Sequence, residues 1–342
     1  MFDVSDCLNV MDDPAWLLTG FDVNTRDLTF VETTRETLAS SAFIDGRTPL
    51  SRSGKTATMS LREASSRLRG AQIGDGIDRL IAHVGFCGST LLAQALDATA
   101  VCQTFKEPQV ITEISALKTL RHPITRDGEE WRRLLDVVKS QFRKAFGQRL
   151  PIAKLSNWPV NLLPDFIDAN TRAVFLTAEP REYMLAILRG GDERVSFTLT
   201  FARKLRRDFP GVHAAIGALE ADPRMTRWQL ILRCALIALR VQEQVFESVA
   251  GKAGATMRLE GRSLLASPDQ TLAVVAEALA LPMRRAERRR AVREAFSASS
   301  KQPWSSFDAS AHAASNRKVL DVFAGEIDLA LRWYEGRSLQ LL

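Results

Sequence analysis

From about Asp78 onward the apolar positions fall into short runs of β-forming residues separated by longer stretches with helical spacing. The short runs are RLIAHV (Arg79–Val84), LPIAKL (Leu150–Leu155), RAVFLTA (Arg172–Ala178) and TMRLEG (Thr256–Gly261). Helical spacing covers Ser89–Ala98, Trp131–Phe146, Arg181–Arg189, Arg227–Ala250, Pro268–Leu281 and Asn316–Glu335. Apolar strands alternating with helices predict an α/β fold, a central parallel sheet with helices on both faces in three layers. The Arg227–Ala250 stretch is apolar around much of its circumference, which predicts burial between the sheet and a neighbouring layer.

Residues 1–70 read differently. One alternating stretch, DLTFVET (Asp27–Thr33), precedes the polar DGRTPLSRSGKTATMS (Asp45–Ser60), which reads as an exposed connection. The expectation is an N-terminal appendage over 1–70 and one large domain over 71–342. Ser53–Thr56 spells SGKT, but a phosphate loop of the Walker type needs glycine at the position held by Pro49, and no apolar strand precedes it. Near the other end, Ser297–Asn316 is rich in Ser and Ala and poor in large apolar residues, the composition of a mobile loop.

Composition narrows the class. The chain has 342 residues, 46% of them hydrophobic, enough for a sizeable core. Its 46 Lys and Arg against 40 Asp and Glu leave +6, a smaller excess than a nucleic-acid binder usually carries. The basic run RRAERRRAVR (Arg284–Arg293) reads as a solvated helix face. Cys7, Cys87, Cys102 and Cys234 show no paired spacing, which suggests reduced thiols in a cytoplasm. The acidic start and the lack of a long apolar run predict no signal peptide and no membrane span.

The richest chemistry lies in LIAHVGFCGSTLLAQAL (Leu80–Leu96), where a strand enters a helix through a glycine turn. Gly85 and Gly88 allow torsions closed to other residues, and Ser89 and Thr90 open the helix. Amide N–H groups, two hydroxyls and the positive end of the helix dipole would converge there on an anion. The stretch has the layout of a phosphate cradle without the usual lysine, though glycine turns between strand and helix also serve packing. His83, His122, His213 and His312 share no metal-ligand spacing, and His83 reads as a packed core residue. Ser89 lacks the second glycine of a hydrolase nucleophile turn, and Cys87 reads as a filler of a small buried space.

At these residues the chain resembles the sulfotransferases that use 3′-phosphoadenosine 5′-phosphosulfate (PAPS), as a divergent bacterial-type member with a P-loop fold. Gly88, Ser89, Thr90, Leu91 and Leu92 match the end of that family's loop, whereas Cys87 stands at its Ser and Phe86 at its cation. FKEP (Phe105–Pro108) is similar to a Glu-Pro element of many bacterial members; the resemblance makes Lys106 a candidate cation and Glu107 a candidate proton acceptor. In PIAKLSNWPVNLLP (Pro151–Pro164) Lys154 matches a family lysine, which makes it a second candidate to neutralise the anion's charge, and Ser156 stands where cytosolic members place their catalytic His.

Pro180, Arg181 and Glu182 match the family's next turn, but Ala178 and Ala186 occupy the positions that would hold the 3′-phosphate; Arg189 and Arg194 lie near enough in sequence to replace them. Arg258 and Glu260 keep a fourth, structural element, and SSKQPWSSF, with Lys301 and Trp304, falls where the family's last nucleotide loop would be. The resemblance runs over roughly residues 79–335, and the order of its elements implies the fold more firmly than the activity. It implies transfer of a sulfonate from PAPS to a hydroxyl or amine acceptor, with a nucleotide and an acceptor as partners. Two other functions fit the same residues: a phosphotransferase using a nucleoside triphosphate, and a non-catalytic nucleotide- or partner-binding protein that keeps the fold.

Overall fold

The computed structural model describes residues 10–51, 53–68, 76–296 and 309–342. Among these, strands β1 (Trp16–Asp22), β2 (Asp27–Glu32) and β3 (Thr56–Ser60) pair antiparallel in that order. Strands β4 (Arg79–His83), β5 (Cys102–Lys106), β6 (Leu150–Lys154), β7 (Arg172–Thr177) and β8 (Ala255–Glu260) form an all-parallel sheet in the order β5-β6-β4-β7-β8. The first helices are α1 (Arg35–Ser40), α2 (Leu61–Arg67), α3 (Ser89–Asp97), α4 (Gln109–Thr119), α5 (Gly128–Gln141), α6 (Leu163–Phe166) and α7 (Pro180–Arg189). They are followed by α8 (Gly191–Asp208), α9 (Pro210–Glu220), α10 (Arg227–Ala250), α11 (Gly261–Ala266), α12 (Pro268–Ala278), α13 (Arg285–Phe296) and α14 (Ala309–Glu335).

The expected three-layer P-loop fold is what the chain adopts. β4, β5 and β7 are buried almost throughout, as strands covered on both faces are. Helices α3, α12 and α13 pack on one another as one layer, and α7, α8, α10 and α14 as another. Phe246 of α10 stacks on Phe175 of β7 with ring centroids 4.9 Å apart. α10 has buried residues along its whole length, as its apolar circumference predicts. On α13, Ala291 and Ala295 face inward while Arg285, Arg289 and Arg293 are exposed, the solvated basic face expected of that run. The chain leaves β4 for one edge of the sheet and returns to its other side through β7, so the carboxyl end of β4 opens on a switch point, where such sheets take ligands.

β5 is a strand the apolar pattern does not announce, because its sequence is Cys-Gln-Thr-Phe-Lys. Most of its polar groups find partners inside the fold, Gln103 Nε2 being the exception among the described residues. Asp97, at the end of α3, accepts from the Thr104 amide at 2.6 Å and from Lys106 Nζ at 2.7 Å, and Gln103 accepts from the Phe146 amide at 3.1 Å. Hydrogen bonds of this kind let a polar strand lie buried.

The N-terminal segment packs closely on the parallel sheet. β1 lies against α4, and Leu17, Leu18, Leu28 and Phe30 join one continuous core with the residues of β4 and β7. Lys144 donates to the carbonyls of Val10, Asp13 and Trp16, while the Ile44 amide donates to Lys106 O at 2.7 Å. The polar stretch after Asp45 is exposed over Gly46–Pro49 as expected, but its end forms β3. Cys7, Lys301, Trp304 and the first part of the Ser297–Asn316 stretch lie outside the described residues.

Candidate functional site

The loop between β4 and α3 is shaped by its backbone. Gly88 sits at φ 83° and caps α3, and a Cβ there would meet nothing closer than Gly261 O at 4.0 Å. The glycine is therefore required by its left-handed torsion and not by space. Phe86 (φ 62°) and Glu107 (φ 59°) hold the same left-handed region without being glycine, a strained state that clusters at functional sites. From the far side Gly261 presses on the loop so closely that a Cβ would lie 1.9 Å from Cys87 O. Burial pushes the Cys87 thiol up to about 11, so it stays protonated and fills space.

Gly85, Gly88, Ser89 and Thr90 line a crevice of about 280 Å³ together with Glu107, Arg189 and Arg194. These residues were separate candidates in the sequence, and the fold brings them to one place. Lys106 is elsewhere: its fully buried ammonium pairs with Asp97 and donates to Ala39 O at 2.9 Å, so the cation expected from it does not face the crevice. Lys154 lies behind the wall, also fully buried, donating to Glu107 Oε1 with its Nζ 5.7 Å from the Phe43 ring centroid.

Glu107 is thus an ionised carboxylate. Burial pushes it up, but the neighbouring Lys154 ammonium outweighs that and holds it well below the usual carboxylate range. His83 Nε2 is 3.5 Å from Glu107 Oε1, and its Nδ1 is 2.8 Å from Val84 O. His83 is buried, as expected of a core residue, yet it also lines the crevice. From the turn after β6 the side chain that arrives is Asn157, not Ser156. Asn157 is 7% exposed, and its Nδ2 has no hydrogen-bond partner among the described residues.

Arg189 donates to Asn316 Oδ1 and Arg194 donates to Ala186 O at 2.5 Å; neither makes an ion pair among the described residues. Burial lowers both, and for Arg189 the neighbouring Arg194 charge adds to it. The Arg194 guanidinium stands 4.9 Å over the Phe86 ring, which also meets Tyr183 and Phe197. The N-terminal segment closes the crevice with Phe43 and Arg47, the latter paired with Asp45 at 2.5 Å.

Sequence reasoning missed Asn157, Phe43 and Arg47. A signal existed only for Asn157, which lies one residue from the family's catalytic position. Among the described residues no three His, Cys, Asp or Glu side chains gather as metal ligands, and no helix is long and apolar enough to cross a membrane.

No family model matches the chain, and no curated protein matches it. Among solved structures it is similar to the sulfotransferase STF9 from Mycobacterium avium, at 10% identity and a TM-score of 0.38, over 77% of this chain and 82% of that one. That similarity is too loose to transfer a ligand or the role of a residue.

Proposed function

We propose that the crevice binds the phosphates of an adenosine nucleotide and that the chain is a sulfotransferase-like transferase, passing a sulfonate from PAPS to an acceptor hydroxyl or amine. The supporting observation is the set of donors that face one cavity. Asn157 Nδ2 is buried without a hydrogen-bond partner among the described residues in the crevice that Ser89 and Thr90 line, and two half-buried arginines face the same space without an ion pair among those residues. Buried donors of this kind are stabilised by an anion. In this assignment Ser89, Thr90 and the first amides of α3 hold the 5′-phosphosulfate, with Asn157 beside them. Arg189 and Arg194 take up phosphate charge, and the position of Arg194 over Phe86 supports α8 as the source of the cation the loop lacks. Lys154 acts through Glu107, whose charge it maintains.

Calorimetry with adenosine 3′,5′-bisphosphate, the product of the donor, tests this directly. Binding is expected, stronger than that of AMP, and Arg189→Ala or Arg194→Ala should weaken it about tenfold or more, near 1.4 kcal/mol. Equal affinity for AMP, or affinity for neither nucleotide, contradicts the donor assignment.

A further inference from the structure

We propose that His83 takes the acceptor's proton in this crevice, with Glu107 as its partner. This rests on the transferase function proposed above and adds the identity of the base. His83 ends the central strand, is 6% exposed and lines the crevice beside the α3 cradle. A carbonyl oxygen only accepts, so the 2.8 Å contact with Val84 O places the hydrogen of the neutral ring on Nδ1. Nε2 is then a bare lone pair, and this buried atom has no hydrogen-bond partner among the described residues. Its charged neighbour at 3.5 Å, Glu107 Oε1, is also an acceptor and cannot satisfy it. A buried acceptor with no donor is unfavourable, and an entering hydroxyl or amine would remove that penalty.

The surroundings favour a base that is neutral before the step. Burial and the Lys154 ammonium on β6 hold the imidazolium below its ordinary range, so Nε2 is free to accept at neutral pH. Glu107, after β5, acts in the opposite sense and stabilises the imidazolium once it forms. Glu107 itself is the weaker base, since Lys154 donates to its Oε1 and its carboxylate is held low. In the step, the acceptor oxygen or nitrogen bonds to sulfur as sulfur's bond to the 5′-phosphate oxygen breaks. The electron pair stays on the phosphate, and the acceptor proton passes to Nε2 and later to solvent. The products are the sulfonated acceptor, the bisphosphate and one proton.

Turnover of PAPS, with phenol as acceptor probe and with water alone, is measured across pH for wild type and His83→Gln, alongside bisphosphate affinity by calorimetry. The expected result is affinity within about twofold, turnover reduced about 100-fold or more, and loss of the acid limb that wild type shows. A His83→Gln protein with wild-type turnover and pH profile overturns the base assignment and leaves the transferase function standing. Bisphosphate binding with no turnover of either acceptor also overturns the assignment. Absence of bisphosphate binding overturns the transferase function itself. Nitrogen-15 NMR of the wild-type histidines gives a readout that does not depend on the variant's folding. At neutral pH His83 should carry hydrogen on Nδ1 and none on Nε2, and the opposite tautomer or an imidazolium contradicts the proposal.

Discussion

Glu107 combines a left-handed backbone with a buried ion pair, so its replacement has consequences on two levels. Glu107→Gln leaves the fully buried Lys154 ammonium without its counter-charge, and chemical denaturation should show a loss of about 3 kcal/mol or more. Acid should destabilise the wild type in two stages. His83 has its folded pKa below the ordinary value of 6.5, so the unfolded chain binds more protons as pH falls beneath that value, and stability drops. Glu107, whose folded pKa lies below the ordinary value of 4.5, adds a second loss as pH falls through and below that value. His83→Gln should remove the upper stage and keep the lower one; a denaturation profile flat from neutrality down to about pH 5 in wild type would contradict this. At this scale the sequence revealed residue types better than directions. Glu107, Ser89 and Thr90 reach the crevice, whereas Lys106, one residue from Glu107, is drawn inward by Asp97. Only the fold decides which way adjacent residues of a strand end point.

Two elements meet at the cradle, α3 through Gly88 and α11 through Gly261, and their contact is backbone against backbone. Gly261→Ala therefore cannot be absorbed by a side-chain shift, because the added methyl would lie 1.9 Å from Cys87 O. Both the melting temperature and bisphosphate affinity should fall; a variant with unchanged affinity would show that the loop tolerates displacement. The turn into α3 was legible because glycine, hydroxyls and an apolar strand occur in one short stretch. β5 was not, since Lys106 Nζ and Gln103 Oε1 find their partners in Asp97 and the Phe146 amide, residues distant from any strand pattern. Arg194 illustrates the same limit. Its use depends on α8 starting at Gly191 and turning its guanidinium onto Phe86, which no local spacing encodes.

The whole molecule behaves as two sheets around one continuous core, tied by Lys144, by the Ile44–Lys106 backbone bond and by the Arg26–Glu130 pair at 2.6 Å. Calorimetric unfolding should give a single transition, since residues of β1 and β2 share their packing with the parallel sheet; two separated transitions would mean that the N-terminal segment melts alone. The parallel fold was readable from four apolar strands and their helices, but the reach of Phe43 and Arg47 into the crevice was not, because it depends on how β1 seats on α4 and α1 on β5. In the proposed function the β4–α3 crevice is the nucleotide site. A crystal structure with adenosine 3′,5′-bisphosphate tests it most directly: the 5′-phosphate should lie at the first amides of α3 beside Asn157, with Arg189 and Arg194 on phosphate oxygens. Bisphosphate bound at another surface while this crevice holds only solvent would contradict it.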